Sequence, residues 1–351
     1  MEFTGMKAAV LNAPNQLEIK NVPDPSLGRD DVLIKVMSCG ICPTDVRKFF
    51  GRSSCKLPII LGHEIGGYLT KLGEKIEKLR VNDRVTVVPD IPCGSCFYCI
   101  QNKFNYCENL RSVGYGTDKI QPLDGGYAQY VKVPATAILP IPNQMSYEEA
   151  TYVEPLSCAV RTLERTNIGV DETVAVIGDG RMGILHLHLL KMLGLKKIFV
   201  VGIMDDRLDL AQKLGATTVN ATKTSVAGAI DKGSEHGVSA VIDTTGEPTA
   251  INGALRMLNP GGRMVLFASS PSGSRIELDP NLIHYKEATI TGSYGNGSRM
   301  DFVKAIDFIG SKRVNVQTMT SNNLSLEQLA DGFRLIEQRK GLRVIISPNG
   351  K

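Results

Sequence analysis

The sequence predicts an α/β protein of two domains, one β-rich and one carrying a doubly wound parallel sheet, and three observations carry that prediction. Its 351 residues exceed what a single hydrophobic core usually serves. Between residues 6 and 142, short apolar runs such as 32–36 and 84–88 are punctuated by Gly, Pro and Asp, the pattern of strands joined by many turns. From about residue 170 to 290, apolar runs at 174–177, 198–201, 240–242 and 264–267 alternate with helical stretches, which implies βαβ units. The tail beyond residue 292 adds helical segments near 302–309 and 326–338 and a last strand-like run at 343–346. There is no internal repeat and no low-complexity tract.

Composition narrows the function classes. With 42% hydrophobic and 22% charged residues the chain reads as an ordinary globular protein. Its 40 Lys and Arg are dispersed among 36 Asp and Glu, for a net charge of +4, so the clustered basic stripe of a nucleic-acid binder is missing. The densest charge run, 71–80, mixes signs and reads as solvated surface. No apolar run reaches about 18 residues, so no membrane span is expected. The first five residues lack both a basic start and an apolar core, which excludes a signal peptide there and leads to the expectation of a cytoplasmic protein.

Cys93, Cys96, Cys99 and Cys107 form a C-x-x-C-x-x-C-x7-C cluster. Four thiolates converging within so short a segment suit a closed tetrahedral zinc site with no vacant position, which staples a lobe and does no chemistry. Disulfides or free thiols are the alternative, and compact C-x-x-C pairs in a chain without a secretory leader favour metal.

The 174–177 run leads straight into Gly178-Asp179-Gly180-Arg181-Met182-Gly183 and then into an apolar helical stretch. Between a strand and a helix, such glycines let the backbone approach a pyrophosphate, and the helix N-terminus offers free N–H groups. Gly178, Gly180, Met182 and Gly183 are therefore candidate contacts for a dinucleotide. The next strand should end in an acid that holds the adenosine ribose, yet 198–201 ends in Gly202, with Asp205 and Asp206 slightly late. The missing carboxylate leaves room for a 2′-phosphate, with Arg207 a possible partner for it, while the two aspartates argue the other way. NAD and NADP both stay open.

A second constellation is dispersed. Cys42 precedes His63 and Glu64 by about twenty residues, and Glu154 comes much later. Thiolate, imidazole and carboxylate all bind zinc, and a set with three firm members leaves a position for water or substrate. Each residue alone has a plainer reading, as a packed thiol or a surface charge.

Taken together, Gly40-Ile41-Cys42-x-Thr44-Asp45, Gly62-His63-Glu64-x-x-Gly67, the cysteine cluster, Asp124-Gly125-Gly126-Tyr127-Ala128-Gln129-Tyr130, Glu154-Pro155-Leu156-Ser157, the glycine loop and Asn259-Pro260-Gly261-Gly262 resemble the zinc-dependent medium-chain dehydrogenases, polyol (sorbitol) dehydrogenase branch. The resemblance covers nearly the whole chain. It implies a GroES-like β-rich catalytic domain formed by residues 1–153 and 292–351, with a structural zinc lobe at about 90–110, and a Rossmann domain at 154–291. It makes Cys42 and His63 ligands of a catalytic zinc, Glu64 the third ligand, and Glu154 an adjacent ligand or an acid behind it. Which of the two glutamates ligates at rest stays open. Cys39 and Cys158 match packing positions.

The implied reaction moves a hydride from a secondary alcohol to NAD or NADP, with zinc polarising the hydroxyl as a Lewis acid. Thr44 matches the hydroxyl that takes the substrate proton away, and Asp45 an acid that orients a ligand. The partners implied are a small alcohol or polyol and further copies of the chain, as a dimer or tetramer. Two departures bear on substrate. Arg47 stands where many relatives carry a His, and Ser293-Tyr294-Gly295-Asn296 holds no Arg where sorbitol enzymes place one. The substrate is then another secondary alcohol, such as a cyclitol, a sugar derivative or a small diol, with Phe49, Phe50, Tyr294 and Asn296 as candidate pocket residues unless the two Phe are core. An L-threonine 3-dehydrogenase-like or phosphorylated-polyol enzyme is the alternative within the class, and a zinc-binding scaffold without catalysis lies outside it.

Overall fold

A computed structural model describes residues 5–296 and 298–350. The chain divides into two compact units, one of Met1–Ser157 with Asn296–Lys351 and one of Cys158–Gly295.

The first unit is built around the strand Asp31–Gly40. Val32, Ile34 and Val36 are completely buried, because this strand has neighbours on both edges and lies inside the core. Glu64–Leu72 pairs antiparallel along one edge, with Gly40 opposite Glu64. Along the other, the chain's last strand, Val344–Ser347, places Ile345 opposite Gly40. The C-terminus thus completes a sheet begun near the N-terminus, and Val344, Ile346 and Phe333 join Ile34, Leu69 and Tyr127 in one apolar cluster. The register also puts Glu64 and Arg343 beside Gly40 from opposite sides. A side chain on Gly40 would overlap the Arg343 guanidinium, so this close approach requires glycine.

The second unit holds six parallel strands: Thr173–Ile177, Lys197–Gly202, Thr217–Asn220, Val238–Asp243, Leu258–Leu266 and Thr289–Gly292. Numbered within the unit, their order is 3-2-1-4-5-6, the doubly wound order that opens a crevice where the direction of winding reverses. The four apolar runs read from the sequence are the inner strands. Thr217–Asn220 and Thr289–Gly292 escaped that reading because they are short, threonine-rich edge strands, where half the surface is not buried and no apolar run is needed. Among the described residues, no helix is long and apolar enough to cross a membrane.

Candidate active site

The four cysteines close on themselves locally. Cys96 caps the short helix Phe97–Ile100, and the backbone N–H of Cys93 donates to Cys107 Sγ at 3.2 Å. The sulfurs of Cys93 and Cys99 are 4.0 Å apart and those of Cys96 and Cys107 3.9 Å. A disulfide needs about 2 Å, whereas four Zn–S bonds of about 2.3 Å make a tetrahedron with edges of about 3.8 Å. The donor set fits zinc. The thiols are also prepared unequally: backbone N–H groups of Ser95 and Cys96 hold Cys93 down to about 5, and those of Glu108 and Cys99 lower Cys96. Burial pushes Cys99 up to about 12 and raises Cys107, so these two require a cation before they give up their protons.

The second cluster is assembled by the sheet. Cys42 is the N-cap of the helix Pro43–Phe49, and Asp45 in its first turn accepts from the Cys42 N–H at 3.1 Å. Glu64 opens the neighbouring strand with His63 just before it. One donor atom each from Cys42, His63 and Glu64 lies within 4.8 Å of the others, and Glu154, in the first turn of the helix Val153–Thr166, is not one of this set. Thr44 sits partly exposed in the same helical turn as Asp45.

Asp45 is fully buried and organises the cluster. Its Oδ2 accepts from the Tyr127 hydroxyl at 2.7 Å, and its Oδ1 lies 3.4 Å from His63 Nδ1. Among the described residues neither of those last two atoms makes a hydrogen bond, so each faces the other only as an ion-pair contact. With Nδ1 turned to a carboxylate, Nε2 is the ring atom left for a metal, the arrangement usual for a zinc-bound imidazole. Burial opposes a charge on His63, but the Asp45 carboxylate and the Cys42 sulfur outweigh it and raise its pKa well above the ordinary value; a metal would have to displace that proton. Cys42, His63 and Glu64 fit a zinc site with a position to spare.

Three participants were not singled out in the sequence. Arg343, fully buried, forms an ion pair with Glu64 Oε2, donates to the Thr151 carbonyl at 2.6 Å and lies over the Tyr152 ring at 4.7 Å. Its only sequence signal is a charge abutting a wholly apolar strand end. Tyr115 meets the His63 ring edge-on, with centroids 5.0 Å apart, and donates to Asp90, which also accepts from Ser112 at 2.5 Å. Tyr127 lies inside a quoted motif, but only the fold reveals that it serves Asp45. Phe49, expected in a pocket or in the core, is core: it is 4% exposed and packs on Phe333 at 5.0 Å. Tyr294 is exposed and Asn296 buried.

In the second unit, Gly180 caps the helix Arg181–Met192, and the loop Gly178 to Gly183 lies at the C-terminal end of Thr173–Ile177. Met182 receives the ring of His186 on its carbonyl at 2.7 Å. The loop after Val238–Asp243, the strand that pairs with Thr173–Ile177 on its other edge, is ordered by buried Asp243, whose carboxylate accepts from the N–H groups of Thr245 at 3.0 Å and Gly246 at 3.1 Å. Arg207 lies in the first turns of Asp205–Lys213. The end of strand Lys197–Gly202 is not vacant as expected: the Asp179 side chain lies over Gly202.

Residues 28–143 match the alcohol dehydrogenase GroES-like domain, and residues 182–311 the zinc-binding dehydrogenase family. Sorbitol dehydrogenase of Bacillus subtilis is 31% identical over 98% of this chain and 98% of that protein. A zinc-binding dehydrogenase of Sinorhizobium meliloti 1021 bound to NADP superposes with a TM-score of 0.92 at 29% identity, covering 99% of this chain and 100% of that one. A protein of Escherichia coli CFT073 described as a short chain alcohol dehydrogenase (RspB), complexed with NADH, does so with 0.90 at 27% identity, over 98% and 100%. With both zinc-type domain families matched in order and that identity sustained from end to end, the chain belongs to the zinc-dependent medium-chain dehydrogenases, in their polyol dehydrogenase-like branch.

Proposed function

We propose that the protein oxidises a secondary alcohol of the polyol or diol class to a ketone, reversibly, with a nicotinamide dinucleotide as hydride acceptor. The observation that carries this reading is the convergence of Cys42, His63 and Glu64 within 4.8 Å, a three-donor set, with the Thr44 hydroxyl one helical step from Asp45. Zinc held there supplies Lewis acidity toward the alcohol oxygen, and the dinucleotide accepts the hydride. Thr44 accepts a hydrogen bond from the substrate hydroxyl and, as that proton moves to its oxygen, gives up its own hydroxyl proton to solvent. Asp45 and Tyr127 hold His63 in one ring orientation, which keeps the donor geometry constant through turnover. Arg343 engages Glu64 and thereby weakens its pull on a metal, so we assign Glu154, in the first turn of Val153–Thr166 and outside the three-donor set, as the carboxylate that takes the place of Glu64 when Glu64 is so held.

In this reading residues 1–153 and 292–351, joined by Glu154 at the boundary, carry the alcohol chemistry, and residues 154–291, through Gly178, Gly180, Met182 and Gly183, hold the cofactor. The assembly is a cytoplasmic homodimer or homotetramer, which light scattering of the purified protein checks. The deciding experiment is a panel of sugar alcohols, cyclitols and vicinal diols assayed by nicotinamide absorbance with each cofactor, alongside zinc analysis. Turnover of at least one secondary alcohol and two zincs per chain are expected; one zinc per chain and no turnover on any member would remove the proposal.

A further inference from the structure

We propose that Asp179 selects NAD over NADP, because its carboxylate occupies the backbone donors that a 2′-phosphate would need. The proposal rests on the reading above that residues 178–183 hold a nicotinamide dinucleotide. Asp179, the middle residue of Gly178-Asp179-Gly180, is only 7% exposed. Its Oδ2 accepts from the N–H of Ile203 and the N–H of Met204, each at 2.7 Å. Those two residues follow the second strand of the parallel sheet, and Met204 is the N-cap of the helix Asp205–Lys213. A Cβ on Gly202 would lie 2.6 Å from Asp179 Cγ. Gly202 is therefore bare because the glycine loop's own acid fills the space beside it.

This strand end is where a dinucleotide bound by such a loop places its adenosine ribose. Backbone N–H groups at a helix start attract phosphate, and here two of them are satisfied by a carboxylate already present. A 2′-phosphate would have to displace or abut that carboxylate, two like charges in a partly buried site. A 2′-hydroxyl meets no such conflict, since it can donate to Asp179 Oδ1. The flanking charges add to the bias: Asp205 and Asp206 occupy the first turn of the helix, Asp205 already paired with Lys223 at 2.6 Å, against Arg207 on the same helix. The acid missing from the strand is thus supplied by the loop, 24 residues earlier in the chain.

Calorimetric titration of the zinc-loaded protein with NAD and with NADP, without substrate, tests the assignment. Wild type is expected to bind NAD about a hundredfold more tightly, which is about 2.7 kcal/mol, and Asp179→Asn and Asp179→Ser should each narrow that ratio about tenfold or more. Adenosine 2′,5′-bisphosphate against AMP, titrated into wild type alone, isolates the 2′-phosphate should a variant fail to fold. Equal or tighter binding of NADP or of the bisphosphate by wild type overturns the proposal, as does an unchanged ratio in folded variants. Binding of neither cofactor overturns it together with the cofactor role of the loop. Selective NAD binding without turnover of any alcohol leaves it standing and counts only against the alcohol chemistry.

Discussion

Cys93, Cys96, Cys99 and Cys107 lie within fifteen residues of one another, whereas the cluster of Cys42, His63 and Glu64 depends on an arginine 279 residues from Glu64. Both clusters gather donors suited to zinc in the same unit, but the first needs only a short helix and its N–H groups, and the second needs a central strand with correct neighbours on both edges. Locally closed sites are robust and chemically idle, because every position is filled by the chain itself. A site assembled from distant strands can leave one position vacant, because rigid surroundings rather than the metal hold its donors apart.

The largest contrast is between His63→Ala and Cys96→Ser. Each should cost about one zinc per chain by metal analysis, but the first is expected to lower turnover at least about 10³-fold with little change in melting temperature. Cys96→Ser should lower the melting temperature by several degrees and leave turnover per folded molecule within about twofold. If the two variants behaved alike, the division of labour between the clusters would be wrong.

Removing Arg343 probes how far the dispersed site depends on its buried ion pair. Arg343→Met leaves the Glu64 carboxylate buried without its partner, a change expected to destabilise by about 3–5 kcal/mol in denaturant unfolding. The double change with Glu64→Met should recover most of that loss, since no buried charge is then stranded. Equal stability of the single and double variants would argue against a coupled pair.

Acid sharpens the comparison by separating loss of metal from loss of fold. Burial holds His186 and His188 of the second unit, which carry no proposed metal, down to about 4. Their folded values are depressed below the ordinary 6.5, so they favour the folded state above that pH, and the contribution is lost as pH falls towards 4. Each accounts for on the order of 3 kcal/mol over that window. Stability should therefore decline between about pH 6.5 and 4 even in zinc-saturated protein, and less steeply in a His186→Gln, His188→Gln variant.

The smallest effect belongs to the exposed Lys7–Glu327 pair, at 2.8 Å, the surface counterpart of Glu64–Arg343. The Lys7 ammonium holds Glu327 down to about 2, so its contribution is present above the ordinary carboxylate range and lost as pH falls toward 2. Solvent screens it, and Glu327→Gln should cost less than about 1 kcal/mol and still less at high salt. A cost matching that of Arg343→Met would erase the distinction drawn between buried and exposed pairs.

What could be read in advance follows this same division. The cysteine spacing, the glycine loop between strand and helix, and the inner strands of the parallel sheet are local patterns, legible because residues close in sequence are obliged to be close in space. Arg343, Tyr115 and the service of Tyr127 to Asp45 were not legible, because each depends on a partner set by strand register far along the chain. Gly202 is the instructive case: read alone it means an absent acid, and in the fold it means that Asp179 is already there.

By itself the sequence determined the class of the protein: a β-rich unit with two donor clusters suited to zinc, a dinucleotide loop, and the family that combines them. Only the tertiary structure decided which carboxylate is tied to an arginine and which acid accepts from the N–H groups that follow the second strand of the parallel sheet. The physical reason is that donor identity is carried by residue type, whereas the charge and hydrogen-bond partner of a buried group are set by whatever the sheet register and loop packing bring against it.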